Sequence, residues 1–188
     1  NPKDPLQGLG GSVWLQQIRK LKPGAPPPCD LERESELQLA LRAFIYSGII
    51  KSAHDCSEGG LAIALAECCI SRQIARDTPR LVGAKVDLLP PALEDGLVPT
   101  AEAEPAAAPA PRLDALLFGE SQPRVVVSVA ARDEVKVLAR AKILGVPARR
   151  LGTVGGRTLD IRAGETSLTW EIEALHDLWW NSLARTMS

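Results

Sequence analysis

The stretch Lys51-Ser52-Ala53-His54-Asp55-Cys56-Ser57-Glu58-Gly59-Gly60-Leu61-Ala62-Ile63-Ala64-Leu65-Ala66-Glu67 decides the fold. It reads as a short extended segment, a polar turn, and a helix whose first turn carries two glycines. Ser57 is placed to cap that helix, and Glu58 to sit where the helix dipole favours a negative charge. Gly59 and Gly60 lack a Cβ, so another backbone or a ligand can approach closely. Two readings follow from the residues alone. The glycines make a tight strand-to-helix joint, or the free N–H groups at the helix end hold an anion. A Gly-Gly pair is a weaker signal than a full phosphate loop, so both stay open.

The totals narrow the class. A chain of 188 residues accommodates one domain with a real core. Its 45% hydrophobic and 24% charged residues are those of an ordinary globular protein. A net charge of -1, with no basic-aromatic stripe, argues against nucleic acid or an anionic membrane surface as partner. No apolar run reaches the length of a membrane span, and the N-terminus lacks the features of a signal peptide. The chain starts at Asn1 without an initiator methionine, so we expect a processed protein or part of a longer one. Cys29, Cys56, Cys68 and Cys69 show no zinc spacing and read as reduced thiols in a cytoplasmic protein.

Outward from the central stretch, the elements alternate in type, which predicts an α/β or interleaved α+β class. Ser12 is expected to cap a short helix over 13–21. A longer helix is expected from about Asp30 to Ser47, with Leu37, Leu41, Phe44 and Ile45 as its core stripe and Gly48 as its stop. Residues 82–88 and 124–129 read as strands, 113–118 as a short helix, and 132–144 as a helix packed through Val135, Leu138, Ala139 and Leu144. Residues 148–154 and 158–163 predict a hairpin around Gly155-Gly156-Arg157, with a short strand at 166–169. A last helix presents Ile172, Leu175, Trp179 and Leu183, with Trp179, Trp180 and His176 as core plus rim. Pro90 to Arg112 holds six prolines among alanines and glutamates and cannot build a packed core. It reads as a mobile insertion (90–112) within a single domain spanning 1–188, whose N-terminal helix and connector take up 1–29.

Two polar clusters are candidate sites. The first is His54, Asp55, Ser57 and Glu58 beside Gly59 and Gly60; its acids are oxygen donors of the kind Mg²⁺ takes, and its turn is a place for a phosphate. The same groups also suit a purely structural network, and no general base, catalytic residue or metal ligand is assigned. The second is Glu120-Ser121-Gln122 before the strand at 124, either a polar ligand site or a turn ahead of Pro123.

The motifs now quoted resemble one family. His54-Asp55-Cys56-Ser57-Glu58-Gly59-Gly60-Leu61-Ala62, with Ala64 to Glu67, is similar to its HD-x-S-x-GGL-A-x-A-LAE segment. Leu117 to Gln122, with Arg124, resembles its LFGESQ-x-R. Leu9-Gly10-Gly11-Ser12, Ile50-Lys51-Ser52-Ala53 and Leu151-Gly152-Thr153-Val154-Gly155-Gly156 fall in the expected order. The family is the large subunit of phosphoribosylformylglycinamidine synthase, and the resemblance covers nearly everything except the Pro/Ala-rich insertion. It implies the C-terminal half of the second of two tandem repeats. The implied fold is a layered mixed sheet with helices and partial ferredoxin-like topology, as in aminoimidazole ribonucleotide synthetase and selenophosphate synthetase.

The resemblance implies an ATP-dependent ligase of purine biosynthesis. ATP activates the amide oxygen of formylglycinamide ribonucleotide, and ammonia from a glutaminase partner displaces phosphate. An amide oxygen is a poor leaving group; phosphorylation makes it a good one, and Mg²⁺ with cationic groups offsets the developing charge. The family's main ATP, Mg²⁺ and catalytic-histidine positions lie in the N-terminal halves, so this chain alone is expected to be inactive. In the family's first repeat the Glu-Ser-Gln motif contacts the ribonucleotide. His54, Asp55, Ser57, Gly59, Gly60, Glu120, Ser121 and Gln122 are thereby the candidates for a substrate or nucleotide wall. The alternatives are a ligand-free repeat that scaffolds the synthase and docks the glutaminase, or a domain of another synthetase of the superfamily.

Overall fold

The computed structural model describes residues 8–70, 81–88, 112–121 and 123–187. The expected insertion at 90–112 lies, apart from Arg112, outside the described residues, as does Gln122. The chain forms two compact units of mixed α/β structure. One takes the chain up to Cys68 together with Asp114–Arg150, and the other takes Cys69–Leu113 together with the chain from Leu151 on.

In the first unit Ser12 ends an extended residue and starts helix α1 (Val13–Ile18), its hydroxyl accepting from the Leu15 N–H. Helix α2 (Leu31–Tyr46) begins at Asp30, whose carboxylate accepts from the Arg33 N–H, and ends at Gly48 in a left-handed conformation (φ 68°). Strand β1 (Ile50–Asp55) leads to helix α3 (Gly60–Ile70), and helix α4 (Leu113–Phe118) leads to strand β3 (Val125–Val129). β1 and β3 pair antiparallel, Ile50 opposite Val129 and Asp55 opposite Val125. A 3₁₀ turn (Ala131–Asp133) opens helix α5 (Glu134–Ile143).

Two packed clusters can be followed among the described residues of this unit. Ala40, Phe44, Ile50, Val137 and Ala141 make one, joining α2, β1 and α5. Leu9, Leu15 and Ala115 make the other, with Trp14 stacked on Phe118 at 5.7 Å between ring centroids. The core stripes match the expected ones in part: on α2 Phe44 is buried and Leu41 packs against the cluster as expected. On α2, Ala40 is buried and Ile45 is 53% exposed; on α5, Val137 and Ala141 are buried and Val135 is 77% exposed. Alanine lets neighbouring backbones come close, so Ala40 and Ala141 face inward beside Phe44 and Val137, and Ile45 and Val135 fall outside the contact. β3 is only half-buried along its length, not the fully buried strand that its valines suggest.

In the second unit strand β2 (Ala84–Asp87) is central to a four-stranded mixed sheet of order β4-β2-β5-β6, with β4 (Gly152–Val154), β5 (Thr158–Ala163) and β6 (Thr166–Glu171). The expected hairpin around residues 155–157 does not form. β2 lies between β4 and β5, antiparallel to the first and parallel to the second. The hairpin is made instead by β5 and β6. Alternation explains the choice: Leu159, Ile161 and Ala163 point inward from β5, and the register sets Ala84 beside Leu159 and Val86 beside Ile161. Helices α6 (Ile172–Trp180) and α7 (Ser182–Met187) follow. Ile172 is buried, but Trp179, Trp180 and Leu183 are exposed, so the expected core role of this helix holds only at its first turn. His176 stacks on Trp180, ring centroids 5.9 Å apart.

Candidate functional site

The first unit brings three separate sequence motifs to one place. β1 delivers His54 and Asp55 to its end, and the chain then turns through Cys56 to Gly59 before α3 starts at Gly60. Gly59 (φ 77°) and Gly60 (φ 66°) both adopt the left-handed conformation, which is why glycine is needed at each. What approaches Gly60 is the protein's own backbone: a Cβ there would stand 2.7 Å from the Gly119 oxygen and 2.9 Å from that of Leu117.

Above that contact sits Glu120. Its Oε1 accepts from the Gly59 N–H and from the Val13 N–H, each at 2.9 Å. Its own N–H donates to the Gly8 oxygen at 2.8 Å. Backbone donors to an ionised carboxylate form charge-assisted bonds, each contributing roughly 1.5–3 kcal/mol. Arg124 braces the same corner, donating from Nε to the Ser121 oxygen at 3.1 Å and from its other end to the Gly119 oxygen. The two expected clusters are therefore one assembly. Gly59, Gly60, Glu120 and Ser121 form its frame, while His54, Asp55 and Ser57 stand at its edge. The helix-end N–H of Gly59, a candidate for holding a ligand anion, is satisfied by Glu120. No local sequence signal marks this bond, because 61 residues separate the partners.

The edge is an open cleft of about 320 Å³ lined by His54, Asp55, Ser57, Glu58, Ala64 and Glu67. Ser57 does not cap α3 as expected; its hydroxyl donates to the Asp55 carboxylate, and the helix starts three residues later. That bond, then Asp55's own backbone N–H and the charge of His54, hold the Asp55 carboxyl below the usual carboxylate range. His54 Nδ1 lies 2.8 Å from the Asp55 backbone oxygen, which only accepts, so Nδ1 carries a proton. Nε2 faces the Glu67 carboxylate at 3.3 Å. Ala64 and, one helical turn beyond it, Glu67 are the lining residues outside the expected clusters; the spacing of Glu67 from Gly60 puts it on the cleft face of α3. Cys56 lies behind the turn, and burial pushes its thiol up.

The cleft's chemistry is that of an acceptor. Asp55, Glu58 and Glu67 present carboxylate oxygens, and among the described lining residues the only side chain able to carry positive charge is His54, already directed at Glu67. Such a wall suits hydroxyl and amine donors and does not fit the phosphates of a nucleotide. Among the described residues no group of three or more His, Cys, Asp or Glu side chains is placed to hold a metal ion. No described helix is long and apolar enough to cross a membrane.

The chain is similar to known proteins over most of its length. The subunit PurL of phosphoribosylformylglycinamidine synthase from Thermomicrobium roseum is 42% identical over 153 residues, covering 80% of this chain and 18% of the relative. That from Anaeromyxobacter dehalogenans is 36% identical over 177 residues, covering 93% and 20%. The chain thus spans about a fifth of the length of the curated relatives it matches. Among solved structures, T. maritima PurL complexed with FGAR has a similar fold at 18% identity, with a TM-score of 0.56 over 80% of this chain and 22% of that one. PurLQS from Thermotoga maritima matches at 16% identity, with a TM-score of 0.58 over 89% and 24%. Residues 3–163 match the AIR synthase related protein, C-terminal domain, and the chain belongs to that family.

Proposed function

We propose that this chain is the C-terminal domain of a phosphoribosylformylglycinamidine synthase of the PurL type. It supplies one wall of a ribonucleotide cleft completed by the rest of a longer polypeptide. One observation carries the reading: the Glu120 carboxylate joins the Gly59 turn to the Val13 helix start, so the motifs shared with PurL meet in one assembly. His54, Asp55 and Ser57 face the ligand, and Gly59, Gly60, Glu120 and Ser121 frame them; Gln122 belongs with these by sequence. The acceptor-rich wall selects the hydroxyl-bearing part of the ribonucleotide.

The reaction is the ATP-dependent amidation of formylglycinamide ribonucleotide. Structures of T. maritima PurL have been determined with ATP and with ADP, and ATP with Mg²⁺ is assigned to the intact enzyme. Because the described cleft does not suit phosphates, those groups are held by other parts of the polypeptide, and this chain alone turns over no ATP. The further partner is a glutaminase that delivers ammonia, and the setting is the cytoplasm. The match from residue 3 to 163 supports one domain interrupted by the insertion at 90–112.

Calorimetry on a full-length synthase carrying this domain tests the reading. Titration with formylglycinamide ribonucleotide is expected to weaken at least fivefold in H54A and D55A. Unchanged affinity in both, with folding intact, favours the scaffold reading. ATP hydrolysis by the 188-residue chain, abolished by H54A or D55A, would overturn the assignment of only part of a site to it.

A further inference from the structure

We infer that Glu120 is a positioning residue: it couples the start of α1 to the turn before α3 and thereby sets the shape of the His54–Glu67 cleft. The inference deepens the proposed wall and rests on it only for its ligand readout. Three facts carry it. A single oxygen, Oε1, takes both bonds, from Val13 and from Gly59, so the two donors must converge on one point. The donors lie 107 and 61 residues from Glu120, so the bonds constrain tertiary position and not merely a local turn. The Glu120 backbone is held as well, through its N–H to Gly8, and the neighbouring carbonyls of Gly119 and Ser121 are held by Arg124. A residue fixed through both its side chain and its backbone acts as a pin. When it is removed, Gly59 loses its partner in a conformation reserved for glycine, and the residues that follow in the cleft rim lose their reference.

Amide hydrogen exchange on the 188-residue chain reads the pin directly. E120A is expected to speed exchange at both Val13 and Gly59 at least tenfold, while Ile161 in the other unit keeps its rate. E120Q is expected to rescue both amides to within about threefold of the parent, since an amide oxygen accepts the same two bonds. V13P provides a variant that keeps the fold: Val13 is the first residue of α1, where proline is tolerated, and Ser12 before it is extended (ψ 152°). Removing this one N–H is expected to speed exchange at Gly59 several-fold, although the two residues are far apart in sequence. A Gly59 amide indifferent to V13P overturns the coupling, and so does a Gly59 amide indifferent to E120A.

In the full-length synthase the ribonucleotide affinity is expected to fall about tenfold in E120A and to be recovered in E120Q. Equal loss in both variants, with exchange at Val13 and Gly59 unmoved, would make Glu120 a ligand contact and overturn the positioning role. Absence of any ribonucleotide binding in the parent enzyme would instead defeat the proposed wall, leaving the exchange result to stand by itself.

Discussion

Gly60 and Gly119 touch backbone to backbone, with the place of a Gly60 Cβ only 2.7 Å from the Gly119 oxygen. Any side chain at 60 must push α3 away from the 117–119 segment, and it must also occupy a left-handed conformation (φ 66°). Conformational strain costs about 1–2 kcal/mol and overpacking about 1–3 kcal/mol. We predict that G60A lowers stability by about 3 kcal/mol, which thermal unfolding would register as a fall of roughly 6–12 °C. A loss below about 1 kcal/mol would mean that the corner yields without strain.

The Ser57–Asp55 bond predicts a pH signature. A carboxyl whose pKa is lower folded than unfolded stabilises the fold fully above the usual value of 3.8, and that contribution is lost as pH falls through the lowered folded value. In S57A the largest cause of the lowering is gone, while the Asp55 N–H and His54 remain. The Asp55 carboxyl titration, followed by its side-chain ¹³C shift, should therefore move up part of the way toward 3.8. An unmoved midpoint would show that the hydroxyl does not bind the carboxylate.

Ser12 is 1% exposed and caps α1 through its hydroxyl. S12A is expected to cost about 1–2 kcal/mol, whereas S12G should cost only a few tenths of a kcal/mol, because glycine leaves room for water at the orphan N–H. Denaturant unfolding of the two variants separates a capping role from simple burial.

Arg162 grips Asp87 across β5 and β2, with Nε at 2.8 Å and Nη2 at 2.5 Å from the same carboxylate oxygen, Oδ2. Both nitrogens share one oxygen, so the pair lacks the two parallel bonds of an ideal fork. With the Arg162 side chain 61% exposed, solvent screens the interaction. A double-mutant cycle with D87A and R162A should return a coupling of about 0.5–1 kcal/mol, declining in high salt. A salt-insensitive value would show that the pair is shielded.

The parts of this fold that could be read in the sequence were those governed by neighbours along the chain. Asp30 before α2, Gly48 after it and Ser12 before α1 act within a turn of the residues they cap, so their chemistry is visible locally. Helical phase was harder: Ile45 and Val135 look more apolar than Ala40 and Ala141, yet packing prefers the smaller side chain wherever two elements approach closely. The glycine turn and the Glu120 corner were each legible, but the bond between them was not. Ser57 departs from the capping role its position suggests because a hydroxyl near a helix start has two competing partners, an N–H ahead and a carboxylate behind. Pairing β4 with β5 followed from their closeness in sequence, and what overruled it was a strand arriving from far upstream.

That intervening strand has a temporal consequence. β2 finds no permanent place until its parallel neighbour exists, for Ala84 meets Leu159 and Asp87 meets Arg162. During synthesis the 84–87 segment emerges with its edges unpaired and must wait for the chain to be extended past Arg162. In the first unit helices α1 and α2 close on local bonds, but β1 likewise waits for β3, with Ser52 opposite Ser128. Such distant pairing raises contact order and slows folding, so the waiting edges of β1 and β2 are the ones to shield from aggregation when the chain is produced.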